Sequence, residues 1–154
     1  MDDVEFFRTD EIRYWAKKPL YSVYQAALLM TGIDPTRFNS FLRFMQDGYR
    51  DFPENQIRRA SFYKELILDG LFLGSLTAHK IVVEYNNGNF NYIKEAITQF
   101  EIANYEHDDI SLENTTFTRE VLFLWLNKQG VPSVKRELRE LKQPKEAPLN
   151  LEKP

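Results

Sequence analysis

Two stretches constrain the fold of this chain more than anything else in it. Each is a short helix pattern, apolar on nearly every side, that ends at a glycine and restarts beyond it. The first runs from Ser22 through Ala26, Ala27, Leu28 and Leu29 to Gly32, Asp34 and Pro35. The second runs from Thr118 through the unbroken apolar run Val121–Leu126 to Gly130, Pro132 and Ser133. A helix with apolar side chains all around its axis has no face to give to water, so both segments are expected at the centre of a core and packed on one another. Both have the outline of a helix-turn-helix corner, which serves in DNA readers and in ordinary helical cores alike.

Local punctuation around the first corner points to helices. Thr9 or Asp10 can open a short helix through Ala16 that Pro19 ends. Ser22 with Gln25 three residues later has the pattern of a capping box, and Gly32 stands where a helix stops. Asp34 and Pro35 supply an N-cap and a first-turn proline for a helix running to about Gly48. Asp51 with Glu54 repeats the capping box and opens a helix through Asp69, closed by Gly70.

Residues 80–93 fit two readings. Ile81, Val82 and Val83 favour a strand and Asn87-Gly88 favours a tight turn, so a β-hairpin fits; a helix ending at the same Asn-Gly pair has the same appearance. From Ile93 the spacing of Ala96, Ile97, Phe100 and Ala103 is helical. Ser133 can cap a last helix with Val134, Leu138 and Leu141 on one stripe, and the proline-marked end reads as a tail. The expected architecture is mainly α: one helical bundle of about six to eight helices over residues 1–142, a flexible tail over 143–154, and a small hairpin at 80–93 as the alternative within it.

Composition excludes several classes. With 43% apolar and 28% charged residues the chain is neither disordered nor membrane-like, and its longest apolar run falls far short of the roughly 20 residues a span requires. It has no cysteine, so disulfides and thiolate metal sites are excluded and a reducing compartment is implied. The acidic start, Asp2, Asp3 and Glu5, lacks the basic region of a secretory signal, which makes a cytoplasmic location the expectation. The net charge of −3 argues against a protein that lives by neutralising phosphates.

No residue set carries recognisable catalytic chemistry. The Leu73–Leu76 stretch lacks the flanking glycine of a nucleophile elbow, and no phosphate-binding glycine loop is present. His107 with Asp108, Asp109 and Glu113 matches no calcium loop and reads as an acidic solvated loop, so neither a metal nor a cofactor is expected. Binding candidates are better defined. On the helix from Pro35, Phe38, Phe41, Leu42, Met45 and Tyr49 point inward and leave Thr36, Asn39, Ser40, Arg43, Gln46 and Asp47 outside, with Arg37 and Arg43 the residues able to contact phosphate and Asp47 opposing them. Asn, Gln and Arg are the side chains able to make paired hydrogen bonds to base edges. After the second corner, Lys135, Arg136 and Arg139 can track a phosphate backbone, although Glu137 and Glu140 alternate with them as on an ordinary solvated helix.

Gln25, Ala26, Ala27, Gly32 and Ile33 resemble the opening of winged-helix excisionases and MerR-type regulators, in which a short helix passes through Gly-Val or Gly-Ile into a recognition helix. Ala27 lies one residue further from the glycine than in that pattern, and Arg37-Phe38-Asn39 replaces its usual Thr-Leu-Arg. Over a longer span, the order of Trp15, Ala26, Leu28, Gly32, Pro35, Arg119, Trp125 and Gly130 is similar to a loose family of uncharacterised prokaryotic proteins, often of prophage or mobile-element origin. The resemblance implies a helical fold and a mobile-element source and assigns no activity. The expected function is a non-catalytic protein-interaction module that binds and modulates a host or phage protein, with no membrane partner and with a homodimer among its possible states. The alternative is a helix-turn-helix DNA-binding regulator.

Overall fold

The computed structural model describes residue 15, residues 17–86, residue 88 and residues 91–130. Over these residues the chain is a mixture of helix and sheet. Four α-helices and two antiparallel sheets of two strands each replace the expected bundle of six to eight helices, with 53% helical content. The elements run β1 (Leu20–Ser22), α1 (Val23–Leu29), α2 (Phe41–Asp47), α3 (Glu54–Leu73), β2 (Ile81–Asn86), β3 (Tyr92–Ile97), β4 (Thr116–Thr118) and α4 (Arg119–Lys128), with short 3-10 turns between them.

The two corners are tied together by the strands that lead into them. β1 pairs antiparallel with β4, Leu20 opposite Thr118 and Ser22 opposite Thr116, and each strand ends in the hydroxyl residue that caps the helix after it. Ser22 accepts from the Gln25 amide at 3.0 Å while the Gln25 side chain accepts from the Ser22 amide at 3.0 Å, which completes the capping box. Thr118 accepts from the Val121 amide at 3.3 Å. The ring of Tyr21 from β1 stacks on Phe123 of α4 with centroids 5.5 Å apart.

Helix α1 is apolar on all sides because it separates two halves of the core. Val23, Ala26, Leu29 and Met30 join the half that holds Leu122, Phe123 and Leu126 of α4; Tyr24, Ala27 and Leu28 join the half that holds Phe41 and Phe44 of α2. The twenty-residue α3 spans both, through Ile57 and Ala60 on one side and Ile67, Leu68 and Leu71 on the other. α4 is one-sided. Leu122, Phe123, Trp125 and Leu126 are buried, whereas Val121 and Leu124 are exposed, so this helix lies at the margin of the core.

Several boundaries differ from the sequence reading. The helix expected from Pro35 to Gly48 is broken: a 3-10 turn covers Pro35–Arg37, the chain is extended at Phe38, and Ser40 opens α2 anew by accepting from the Arg43 amide at 3.1 Å. The restart turns the helix about its axis, so that Phe41 and Phe44 are buried while Leu42 and Tyr49, expected inside, are exposed. α3 begins after Pro53 without a side-chain cap and passes through Gly70 to Gly74, whose φ of 83° ends it. Between Ile81 and Ile97 the hairpin alternative is the one formed, and it extends to Ile97; Ile93, Ala96 and Ile97 therefore lie on a strand rather than on the expected helix. Cross-strand pairing from Ile81–Ile97 to Asn86–Tyr92 supplies the hydrogen bonds that a helix would have made locally. Trp15 is buried, and the remaining residues of the first expected helix lie outside the described residues, as do the helix expected from Ser133 and the tail. Among the described residues, no helix is long and apolar enough to cross a membrane.

Candidate functional site

The connection from α1 to α2 is held by a buried phenol. Tyr24 on α1 donates to the carbonyl of Pro35 and, at 2.8 Å, to that of Phe38, fixing the path of the chain after the 3-10 turn. Its pKa is raised, first by burial and then by the carboxylates of Glu113 and Asp34, so the hydroxyl stays a donor throughout the physiological range. Asp34 caps the turn, accepting from the Thr36 amide at 3.0 Å. The Phe41 amide, at the start of α2, donates to Glu113 at 2.8 Å across 72 positions of sequence.

This framework places Arg37, Phe38 and Asn39 opposite the outer side of α2 and the turn after it. They line a surface cleft of about 220 Å³ whose other walls are Arg43, Asp47, Arg50 and Asp51. Arg37 pairs with Asp51 at 3.0 Å and lies over the ring of Phe52 at 5.0 Å; Arg43 stands 3.6 Å from Asp47, one turn along α2. Arg50 is exposed and makes no ion pair among the described residues. Three guanidinium groups thus face two carboxylates, leaving one net positive charge in the cleft.

Of the residues singled out in the sequence, Arg37, Asn39 and Arg43 come together here. Gln46 is exposed on α2 but does not line the cleft, and Lys135, Arg136 and Arg139 lie outside the described residues. Sequence reasoning missed Arg50 and assigned Asp51 to a helix cap. The lining presents forked guanidinium donors suited to planar anions, beside the ring of Phe38.

No family model matches the chain, and neither a curated protein nor a solved structure matches it significantly. The resemblance to excisionases, MerR-type regulators and mobile-element proteins therefore gains no support, and the short 3-10 turn after Gly32 is unlike the recognition helix that pattern requires.

Proposed function

We propose that this protein is a non-catalytic interaction module that receives an acidic segment of a partner protein in the arginine cleft. The observation that carries the reading is the convergence of Arg37, Arg43 and Arg50 around one depression with a single uncompensated positive charge. Exposed ion pairs such as Arg37–Asp51 and Arg43–Asp47 contribute about 0–1 kcal/mol each, so an incoming carboxylate can replace the internal partner at little cost. Arginine and aromatic side chains supply much of the energy at protein interfaces, and Phe38 and Phe52 stand beside these guanidinium groups. The DNA-regulator alternative is less well supported: α2 has seven residues, about 10 Å of helix, and the cleft brings three arginines to bear where a DNA reader contacts about six phosphates.

The test is fluorescence anisotropy of labelled acidic, neutral and basic peptide pools against the full chain at low and moderate salt. Acid-selective binding is expected, weakened about tenfold or more by Arg50→Glu and unaffected by Lys128→Glu, because each tenfold step is about 1.4 kcal/mol and charge reversal replaces an attraction by a repulsion. Binding without preference for acidic peptides, or binding indifferent to Arg50→Glu, would overturn the assignment.

A further inference from the structure

Away from the cleft, the outer face of α3 carries a second convergence of side chains. Glu65 and Asp69 are one helical turn apart, so their carboxylates project from the same side. His107, which opens a 3-10 turn between β3 and β4, packs its ring on Phe72 with centroids 4.7 Å apart and turns its edge to both carboxylates. Nδ1 lies 3.1 Å from Glu65 Oε1 and Nε2 lies 3.5 Å from Asp69 Oδ1. The sequence reading grouped His107 with Asp108, Asp109 and Glu113; the fold instead gives it partners forty positions back, and sends Glu113 to the start of α2.

We propose that Glu65, Asp69 and His107 form a binding site for a divalent transition-metal ion of the zinc class. One ligand atom from each residue lies within 4.8 Å of the others. Ligands bonded tetrahedrally to zinc at about 2.0–2.2 Å stand about 3.3–3.6 Å from one another, so side-chain rotations of about an ångström close the set. The donors are one imidazole and two carboxylates, a combination that suits zinc, manganese or nickel better than calcium, which takes oxygen ligands only. The three side chains are 32%, 48% and 60% exposed for His107, Glu65 and Asp69, so a hydrated ion can reach them and keep water in its remaining positions. Lys64 holds the other oxygen of Glu65 at 2.7 Å, which turns Oε1 toward His107 and Asp69. The ring contact with Phe72 orients the imidazole before any ion arrives, which lowers the ordering cost of binding. An ion held there clasps the His107 turn to α3.

The experiment is calorimetric titration of the chelator-treated full chain with zinc chloride alone, with the histidine ring protons followed by NMR. One zinc per chain is expected, with the His107 signals moving and those of His79 unmoved. Affinity should fall about tenfold or more in His107→Gln and in Asp69→Asn and stay unchanged in His79→Gln. The variant positions are at least partly exposed, so their folding is checked by circular dichroism, and either variant alone suffices. Absence of binding at millimolar zinc, unmoved His107 signals, or undiminished affinity in both variants would overturn the site.

Discussion

The indole of Trp125 on α4 rests directly on the backbone of Gly70 in the last turn of α3: a Cβ at position 70 would stand 2.5 Å from Cζ2 and 3.0 Å from Cε2. The ring has little freedom to retreat, because its Nε1 donates to Ser75 Oγ at 3.3 Å and the side chain is buried. Gly70 is thus the contact that lets α4 dock on α3.

Two opposing effects decide what Gly70→Ala does. Alanine in a helix interior is favoured over glycine by about 1 kcal/mol, while overpacking costs about 1–3 kcal/mol. With a rigid ring as the obstacle the second should win, and a net loss of about 1–2 kcal/mol is expected in urea denaturation. Trp125→Ala should cost about 3–5 kcal/mol by leaving a cavity. Combining Gly70→Ala with Trp125→Phe should cost less than the sum of the two, by at least about 0.5 kcal/mol, since the smaller ring relieves the clash.

The caps make a sharper comparison. Ser22→Ala removes half of a reciprocal capping box and should cost about 1 kcal/mol. Asp51→Ala should stay within about 0.5 kcal/mol, because Asp51 holds Arg37 at the surface and caps nothing. Equal losses would mean that α3 starts where the sequence places its cap.

These two residues also show what was legible. Ser22, Thr118, Gly32 and Gly130 act through neighbours a few positions away, and the structure has both caps and both glycines at φ near 80°. Asp51 and Glu54 carry the same local pattern as Ser22 and Gln25, but a guanidinium from fourteen positions back takes the carboxylate. Ser40 is as good a cap as Asp34, and only the anchoring of the Phe38 carbonyl by Tyr24 shows that the chain uses both. Ile93, Ala96 and Ile97 fit a helix equally well until β2 offers a partner. The cleft was half legible for the same reason: Arg37, Asn39 and Arg43 sit on a visibly polar face, whereas Arg50 joins them only through the turn after α2.

Glu113 reaches across the fold to the first amide of α2, a contact that no local pattern announces. A hydrogen bond to a charged group is worth about 1.5–3 kcal/mol, and this one is only partly buried, so Glu113→Ala should cost about 1–2 kcal/mol. Glu113→Gln keeps an acceptor and should cost less. Hydrogen exchange at the Phe41 amide checks the cause, since its protection should fall in step with the loss of stability.

Glu84 on β2 predicts an acid limb. Burial raises its pKa, but hydrogen bonds from Tyr92 and Ser111 together with Lys94 outweigh that and hold the carboxyl below the ordinary glutamate range. A carboxyl that titrates lower in the folded chain than in the unfolded one stabilises the fold above the unfolded pKa, and the gain disappears as pH falls through the folded value. Tyr92→Phe removes the donor at 2.8 Å, so the Glu84 titration followed by carboxyl NMR should move up toward the ordinary value. A fixed midpoint would show that Ser111 and Lys94 hold it without Tyr92.

Random duplex DNA distinguishes the interaction module from the regulator. A reader contacting about six phosphates would lose affinity with salt at a logarithmic slope near −5, from about 0.9 per phosphate. The cleft supplies three arginines, half of what six phosphate contacts require, and the chain's charge of −3 opposes a densely charged duplex more than a short acidic peptide. No micromolar binding is therefore expected by fluorescence anisotropy, even at low salt. Binding that collapses as salt rises and vanishes in Arg43→Glu would instead make the cleft a phosphate contact and the first corner a DNA-reading element, with the second reader of phosphates sought among Lys135, Arg136 and Arg139.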